Sequence, residues 1–331
     1  FEDAFAAATG ARFAIATTNG TTALHLALIA HGVGPGDEVI TTPLSFIATA
    51  NAIVHTGARP VFADVDSSLN LALASVEALI GPRTKAIMPV HLHGNPFKIA
   101  EFQRIADEHG LTVIQDACQA VGATSHGAKL GSFSTAGYSL YATKNLTTGE
   151  GGMITTNDPA VAEQCASLRN HAYSEDVPYL HTAVGYNFRM TEIEAAIGLC
   201  QLDRLDEINR SRRENAAYLD QAIDQERYPR PLRHERHEHV FHQYVITVPA
   251  GRKLSRDDVR RQLAKAGVGT GVHYGIPLHL QPPYRDQGQG PFPAAERTSN
   301  EMISLPVHPL VTEQDRERIA DALNNVSWLT A

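Results

Sequence analysis

Up to about residue 120 the chain alternates short apolar runs with segments whose apolar residues recur at helical spacing, and this alternation restricts the fold more than any other feature. A β-type run over Arg12–Thr17 is broken at Asn19-Gly20 and followed by Thr21–His31, where Ala23, Leu24, Ala27 and Leu28 share one helical face. The same rhythm repeats: strand Glu38–Thr41 before helix Ile47–His55, strand Pro60–Val65 before helix Ser75–Leu79, and strand Lys85–Val90 before helix Phe97–His109, with Asn95-Pro96 expected to open that helix. Leu111–Gln115 is almost continuously apolar, as expected of a strand covered on both faces, and runs straight into Asp116. Strands and helices in alternation predict a mostly parallel sheet with helices on both faces. Such sheets bind ligands at the carboxyl ends of their strands.

Four chemically different groups fall at or just past those ends. The turn before Thr21-Thr22 combines hydroxyls with a helix start, whose unbonded N–H groups suit a phosphate. It matches neither a Walker loop nor a Gly-x-Gly-x-x-Gly turn. Phe46 offers a flat ring, and Asp116 a carboxylate. Lys144 follows the apolar run Gly137–Tyr141 and precedes Gly149, Gly151 and Gly152, where the chain turns into the strand Gly152–Thr156. A lysine in such a turn loses solvation and with it part of its proton affinity, which lets the amine attack an aldehyde. Each feature alone has an ordinary explanation: a loop lysine, helix capping by Thr or Asn, a core Phe46, a hydrogen-bonding helical Gln119, a turn Asn187. Together, with Ser139 as a further hydroxyl, they supply the phosphate anchor, ring stack, acid partner and amine that pyridoxal phosphate requires.

The later chain changes texture. Thr191 and Glu194 form a capping box at the start of a helix expected to run to about Leu219, with Ile193, Ala196, Ile197, Cys200 and Leu205 in its apolar stripe. Arg227–His239 mixes charge signs and reads as a solvated segment. A strand over Val240–Val248, a helix over Ser255–Ala266, an extended glycine-rich piece over Gly267–Tyr274 and a helix over Thr312–Leu323 then suggest a smaller α+β domain. The expected division is 1–215 and 216–331.

Composition narrows the function class. The chain has 331 residues, 43% of them hydrophobic, and a net charge of −8 with no basic block before Arg227, so neither a nucleic-acid nor a membrane surface is expected. No apolar run reaches the ~18 residues of a membrane span. No signal peptide is expected, and the start at Phe1 suggests that an N-terminal piece precedes it. Cys118, Cys165 and Cys200 stand far apart and are expected to be buried free thiols, which fits a reducing cytoplasm. The sixteen histidines show no metal-ligand spacing, so no metal is expected.

The chain resembles the DegT/DnrJ-type nucleotide-sugar aminotransferases, a fold type I pyridoxal-phosphate family. The likeness runs through Asn19-Gly-Thr-Thr-Ala-Leu24, Gly34-Pro-Gly-Asp-Glu-Val-Ile40, Val113-Ile-Gln-Asp-Ala-Cys-Gln-Ala-Val-Gly122, Ala142-Thr-Lys-Asn145 with Gly149-Glu-Gly-Gly152, and Gly185-Tyr-Asn-Phe-Arg-Met190. It continues in Val272-His-Tyr274, Pro277-Leu-His-Leu280 and Ser304-Leu-Pro-Val-His-Pro309. The resemblance implies a three-layer α/β fold with a mostly parallel seven-stranded sheet and a smaller C-terminal α+β domain. It implies pyridoxal 5'-phosphate as cofactor, Lys144 as the lysine that links to it, and Asp116 on the pyridine nitrogen. Gln119 would lie near the 3-hydroxyl, Thr21, Thr22 and Ser139 at the phosphate, and Phe46 on the ring. Asn187 would reach the cofactor phosphate of a neighbouring subunit, making a homodimer with shared active sites. His273, Tyr274 and His308 are candidate substrate contacts. The implied reaction moves nitrogen from an amino acid, by resemblance L-glutamate, to a nucleotide-linked keto-deoxyhexose. An amino-cyclitol or other keto substrate, a sugar dehydratase on the same scaffold, and a non-catalytic binding role are the alternatives. Tyr141 stands where the family often has histidine, and Gln115 where it often has glutamate.

Overall fold

The structure, a computed structural model, describes residues 1–174 and 176–327. Seven strands build the main sheet: β1 (Phe13–Thr17), β2 (Glu38–Thr41), β3 (Arg59–Phe62), β4 (Thr84–Met88), β5 in two pieces (Thr112–Val113 and Gln115–Asp116), β6 (Ala136–Ser139) and β7 (Gly152–Thr156). Their spatial order is β3-β2-β4-β5-β6-β7-β1. The halves meet across the two-piece strand, where the Ile114 amide donates to Ile87 at 3.0 Å and the Asp116 amide to Pro89 at 2.9 Å. Only β7 runs against its neighbours. The expected mostly parallel sheet is therefore present.

Consecutive strand residues face two different apolar clusters. Ile40, Ile87, Val113 and Met153 point to one, with Phe5, Phe102 and Ile105. Val39, Ala86, Met88, Ile114 and Ile154 point to the other, with Leu24, Leu28 and Val161. The period-two geometry of a strand thus makes three layers. On the first face lie α1 (Glu2–Thr9) and α5 (Ile99–His109). On the second lie α2 (Gly20–Ala30), α3 (Ala48–His55) and α6 (Pro159–Arg169). A short α4 (Leu73–Glu77) completes the crossover before β4. α5 begins two residues later than expected, because Asn95 does not cap it: its amide donates instead to the carbonyl of Leu232 at 3.0 Å.

The expected long helix after Thr191 is two helices, α7 (Glu192–Leu202) and α8 (Leu205–Ala222), which break at Asp203–Arg204. The Thr191 capping box is formed. The α7 stripe is not buried within the chain: Ile193 is 75% exposed, and Ala196, Ile197 and Cys200 are exposed too. Of the three cysteines only Cys165 is buried outright. A period of 3.6 identifies an apolar face but does not say what covers it.

Along α8 the packing changes hands. Leu205 joins the first cluster beside the sheet, whereas Ala216 and Leu219 join a separate core. That second core gathers β8 (Tyr244–Thr247), α9 (Arg256–Lys265), β9 (Met302–Leu305) and α11 (Glu313–Asn324), with β8 and β9 antiparallel. Strand β8 is shorter than expected because Phe241 has a positive φ of 45°, outside extended geometry. Between these elements, Leu278 and Tyr284 pack back onto Ala50 and Phe62. Ala295, at the start of α10 (Pro293–Glu301), packs with Leu44 and Val90. The segment Arg227–His239 is not simply solvated: Tyr228 is fully buried, and Arg230 and Arg233 converge on Asp220.

Candidate active site

The carboxyl ends of β1, β2, β5 and β6 open into one cavity of about 820 Å³, inside the range of about 300–1,000 Å³ usual for small-molecule sites. Thr21, Thr22, Phe46, Asp116, Gln119, Ser139, Lys144, His273 and Tyr274 all line it, so nine of the eleven residues singled out from sequence converge. The other two do not. Asn187 is exposed, its backbone bridging Asn170. His308 is exposed in the turn before α11, its carbonyl accepting from Asn215 at 3.1 Å. Neither belongs to the wall formed by this chain.

One wall is the start of α2. Asn19 caps it, accepting from the Thr22 amide at 3.0 Å, while the Thr22 hydroxyl accepts from the Asn19 amide at 3.2 Å. The Thr22 hydroxyl also donates to the Asn19 carbonyl at 2.8 Å, so this side chain is engaged in closing the turn. The Gly20 and Thr21 amides, in the first turn, have no intrahelical acceptor and open on the cavity. Gly20 is required because a Cβ there would meet Ser139 Cβ at 2.7 Å, and Gly152 because one there would run into the Asn19 carbonyl oxygen. These close approaches set the helix start against the end of β6 and the start of β7, and Gly20, Thr21 and Ser139 line the cavity together. The result is an anion cradle.

Asp116, the last residue of β5, is nearly buried. Its Oδ2 accepts from the Thr49 hydroxyl at 2.7 Å and its Oδ1 from the Cys118 amide at 3.1 Å. Gln119 is oriented from both ends. Its Oε1 accepts from the His93 amide at 2.7 Å, so its Nε2 donates to the Tyr274 hydroxyl, at 3.2 Å. The Tyr274 ring lies 6.0 Å from Phe46, and Phe46 stays 56% exposed, leaving an aromatic face open. Gln115 suits its slot as a neutral residue: fully buried, its Oε1 meets His91 Nε2 at 3.0 Å and its Nε2 donates to Leu130 and Ser134 carbonyls.

Lys144 sits in the turn after β6, where its amide donates to Tyr141 at 2.9 Å and Thr148 donates to Leu140 at 2.9 Å. Burial pushes its amine below the ordinary lysine value, while the neighbouring Cys118 and Asp116 pull the other way. Burial pushes the Cys118 thiol well above its usual value, with Asp116 adding to the effect. Thr49, Cys118, His25, His242 and Glu150 also line the cavity and were not singled out from sequence. Cys118 was readable, standing two residues after Asp116. Glu150, inside the glycine turn, and His25, three residues after Thr22, were readable in the same way, whereas Thr49 and His242 have no local signal, since they reach the site from α3 and from the segment before β8. His25 is nearly buried, its Nε2 has no partner among the described residues, and burial followed by His55 pushes it down to about 4.

The arrangement offers a desolvated amine, a buried carboxylate, an anion cradle and an exposed aromatic face around one space. Residues 1–324 match the model of the DegT/DnrJ/EryC1/StrS aminotransferase family. The chain is 43% identical over 330 residues to the GDP-perosamine synthase of Caulobacter vibrioides, covering 98% of this chain and 89% of that protein. It is 38% identical to the UDP-N-acetyl-3-dehydro-alpha-D-glucosamine 3-aminotransferase of Acidithiobacillus ferrooxidans, covering 95% and 84%. Its fold is similar to the crystal structure of S. venezuelae DesV in complex with a ketimine intermediate, with a TM-score of 0.92, 35% identity, and coverage of 97% of this chain and 86% of that one.

Proposed function

The chain belongs to the DegT/DnrJ/EryC1/StrS aminotransferase family, and from that premise we propose that it transfers an amino group from an amino acid, L-glutamate, to the carbonyl carbon of a nucleotide-linked keto sugar. The family works with pyridoxal 5'-phosphate. The observation that carries the reading is that Lys144 and Asp116 line one cavity with an open helix start between β1 and α2.

The residues fit that cofactor, because the cradle between Gly20, Thr21 and Ser139 is built for a phosphate, and the contacts that demand glycine at 20 and 152 make it tight. When bound, pyridoxal phosphate supplies an aldehyde for the lysine and a cationic ring that draws in the electron pair of a breaking Cα–H bond. Asp116 would face the ring nitrogen and keep its proton there, since an adjacent negative charge favours the cation. The Thr49 hydroxyl and Cys118 amide hold that carboxylate in place. Phe46 would cover one ring face, and Gln119 would donate toward a ring hydroxyl. Thr22 contributes by closing the turn that presents Thr21. The Lys144 amine, once free, carries a proton to and from the substrate carbon, and its lowered proton affinity suits a base. His273 and Tyr274 would contact the sugar, acceptor and donor groups being available on both.

A second copy of the chain completes the proposal. The exposed Ile193, Ala196, Ile197 and Cys200 on α7 form an apolar face suited to a two-fold contact, and Asn187 would then reach the partner's cradle. Replacing Ile193 and Ile197 together by aspartate should give a monomer in sedimentation and abolish turnover. No helix among the described residues is long and apolar enough to cross a membrane. Three unpaired cysteines fit a cytoplasmic enzyme. The domain border is best drawn at 1–215 and 216–331, inside α8, where the core partners change.

The test is to incubate the protein with L-glutamate and a panel of nucleotide keto sugars, reading the amine by mass. Lys144→Ala and Lys144→Arg should lose both turnover and the visible absorbance of the lysine-linked cofactor. Either variant keeping both overturns the reading.

A further inference from the structure

His93 does not line the cavity, yet its amide, its carbonyl and its ring each bind a residue that does. The amide donates to Gln119 Oε1 at 2.7 Å, and the carbonyl accepts from the Gln243 amide at 3.2 Å. The ring Nε2 lies 2.7 Å from the His273 carbonyl, 180 residues along the chain. A carbonyl only accepts, so the proton of that bond sits on Nε2. The ring is nearly buried, and burial pushes it down to about 4, so it is neutral and Nδ1 is its bare nitrogen. The His93 backbone has a φ of 60°, a left-handed conformation that is uncommon without glycine and persists where the surroundings hold it. Its three bonds reach the loop after β5, the entry to β8 and the extended piece that ends at Tyr274.

The consequence falls on two donors. Gln119 Oε1 is taken by the His93 amide, so its Nε2 is the end that meets the Tyr274 hydroxyl. That bond uses one of the two hydrogens on Nε2, and the hydroxyl, accepting there, keeps its own. Neither remaining hydrogen has an acceptor among the described residues, and both side chains line the cavity. Burial, then Asp116, push the Tyr274 hydroxyl above its ordinary value, so it stays a donor. Its neighbour His273 is gripped from two sides, the carbonyl by His93 and Nδ1 by the Ser304 hydroxyl of β9 at 2.9 Å.

We propose that His93 is a positioning residue for the Gln119–Tyr274 donor pair: its backbone N–H decides which end of Gln119 meets Tyr274, and its imidazole N–H, by holding the His273 carbonyl, keeps Tyr274 against that end. The inference rests on the proposed transamination, in which Gln119 serves the ring hydroxyl and Tyr274 the sugar. A bond from a neutral ring to a carbonyl joins the two halves of the molecule at the cavity without adding charge beside Asp116.

Nitrogen NMR of the cofactor-free protein, with labelled histidine and glutamine, reads the arrangement without turnover. His93 should show a protonated Nε2 and a bare Nδ1 at neutral pH. His93→Leu and Tyr274→Phe should each shift the Gln119 side-chain amide resonance, and His93→Gln, which keeps an N–H near the place of Nε2, should leave it where the parent has it. A ring protonated at Nδ1 instead, or a Gln119 signal indifferent to His93→Leu, overturns the proposal. The tautomer is read on the unaltered chain, so that arm holds whether or not His93→Leu folds. With pyridoxal phosphate bound, the half-reaction with L-glutamate should slow about 10- to 100-fold in His93→Leu, as for a misplaced reacting group, and recover most of that in His93→Gln. In a Gln119→Leu background the same change should cost little more, because the group it positions is gone. An equal loss in both backgrounds is a general effect on the fold and overturns the proposal. A chain that gives the NMR responses but takes no nitrogen from glutamate would refute the transaminase reading alone.

Discussion

Two carboxylates, one in each half of the molecule, are held in opposite ways. Asp116 ends a central strand and is almost fully buried, and its described hydrogen bonds come from neutral donors, Thr49 and Cys118. Asp220 lies in the last turn of α8 with its side chain 27% exposed. It binds Arg230 at 2.6 Å, Arg233 at 2.5 Å and the Tyr244 hydroxyl at 2.8 Å. Arg233 also lies over the rings of Phe241 and Tyr244. A carboxylate saturated by cations has no capacity for a ligand and ties elements together. One that is desolvated and hydrogen-bonded only by neutral groups, with the Lys144 amine nearby but no ion pair, keeps its charge available for whatever enters the cavity.

The contrast predicts opposite consequences for the same substitution. Asp116→Asn keeps the shape, its oxygen accepting from the Cys118 amide and its NH2 donating to Thr49, whose hydroxyl can turn to Ser45, but it removes the charge expected to hold the ring proton. Turnover should fall by roughly 10²- to 10³-fold, the loss typical of removing one preorganised electrostatic group. The cofactor-free chain should melt no lower than the parent, because a desolvated charge has been taken out. A variant that both melts lower and turns over normally would reverse the roles assigned here. Asp220→Asn should do the reverse, leaving the half-reaction with glutamate near its parent rate and costing about 2 kcal/mol of stability by denaturant unfolding. That is less than the about 3–5 kcal/mol of a fully buried broken pair, because Asp220 is partly solvated.

The pH dependence of Asp220 has a definite sign. Burial alone would raise its carboxyl, but Arg233, Tyr244 and Arg230 outweigh this and hold it below the ordinary 3.8. Its folded value is depressed, so its contribution is complete above 3.8 and is lost as the pH falls below that through the folded value. Denaturant unfolding of the parent should therefore lose stability in this acid window, and Asp220→Asn should show a shallower fall there.

The two carboxylates also differ in how far they can be read from sequence. Asp116 ends an apolar run inside an alternating pattern, so both its strand and its place on the rim follow from neighbours within a few residues, as they do for Lys144 in its glycine turn. Asp220 lies among helical charges, and its partners follow in a segment whose mixed signs look solvated. What converts that segment into a clamp is the packing of Tyr228 and Tyr244 in a core assembled from α8, α9 and α11. The same limit hides His242 and Thr49, whose partners are 97 and 67 residues away. It also leaves the α7 stripe legible as an apolar face without naming its cover.

Thr49 offers the finest test of how Asp116 is held. Its hydroxyl donates to Asp116 Oδ2, so the neighbouring Ser45 hydroxyl, 2.8 Å away, must donate to Thr49. Thr49→Val keeps the shape, removes one donor from the carboxylate and leaves Ser45 without its acceptor. A hydrogen bond to a charged group is worth about 1.5–3 kcal/mol when the partner is fully enclosed. Here the cavity is open and water can replace the hydroxyl, so the low end applies, and turnover should fall about tenfold, near 1.4 kcal/mol. Thr49→Ser should restore it. A Thr49→Val enzyme as impaired as Asp116→Asn would mean that the carboxylate's position, rather than its charge, does the work. One with unchanged turnover would mean that the Cys118 amide suffices to hold it.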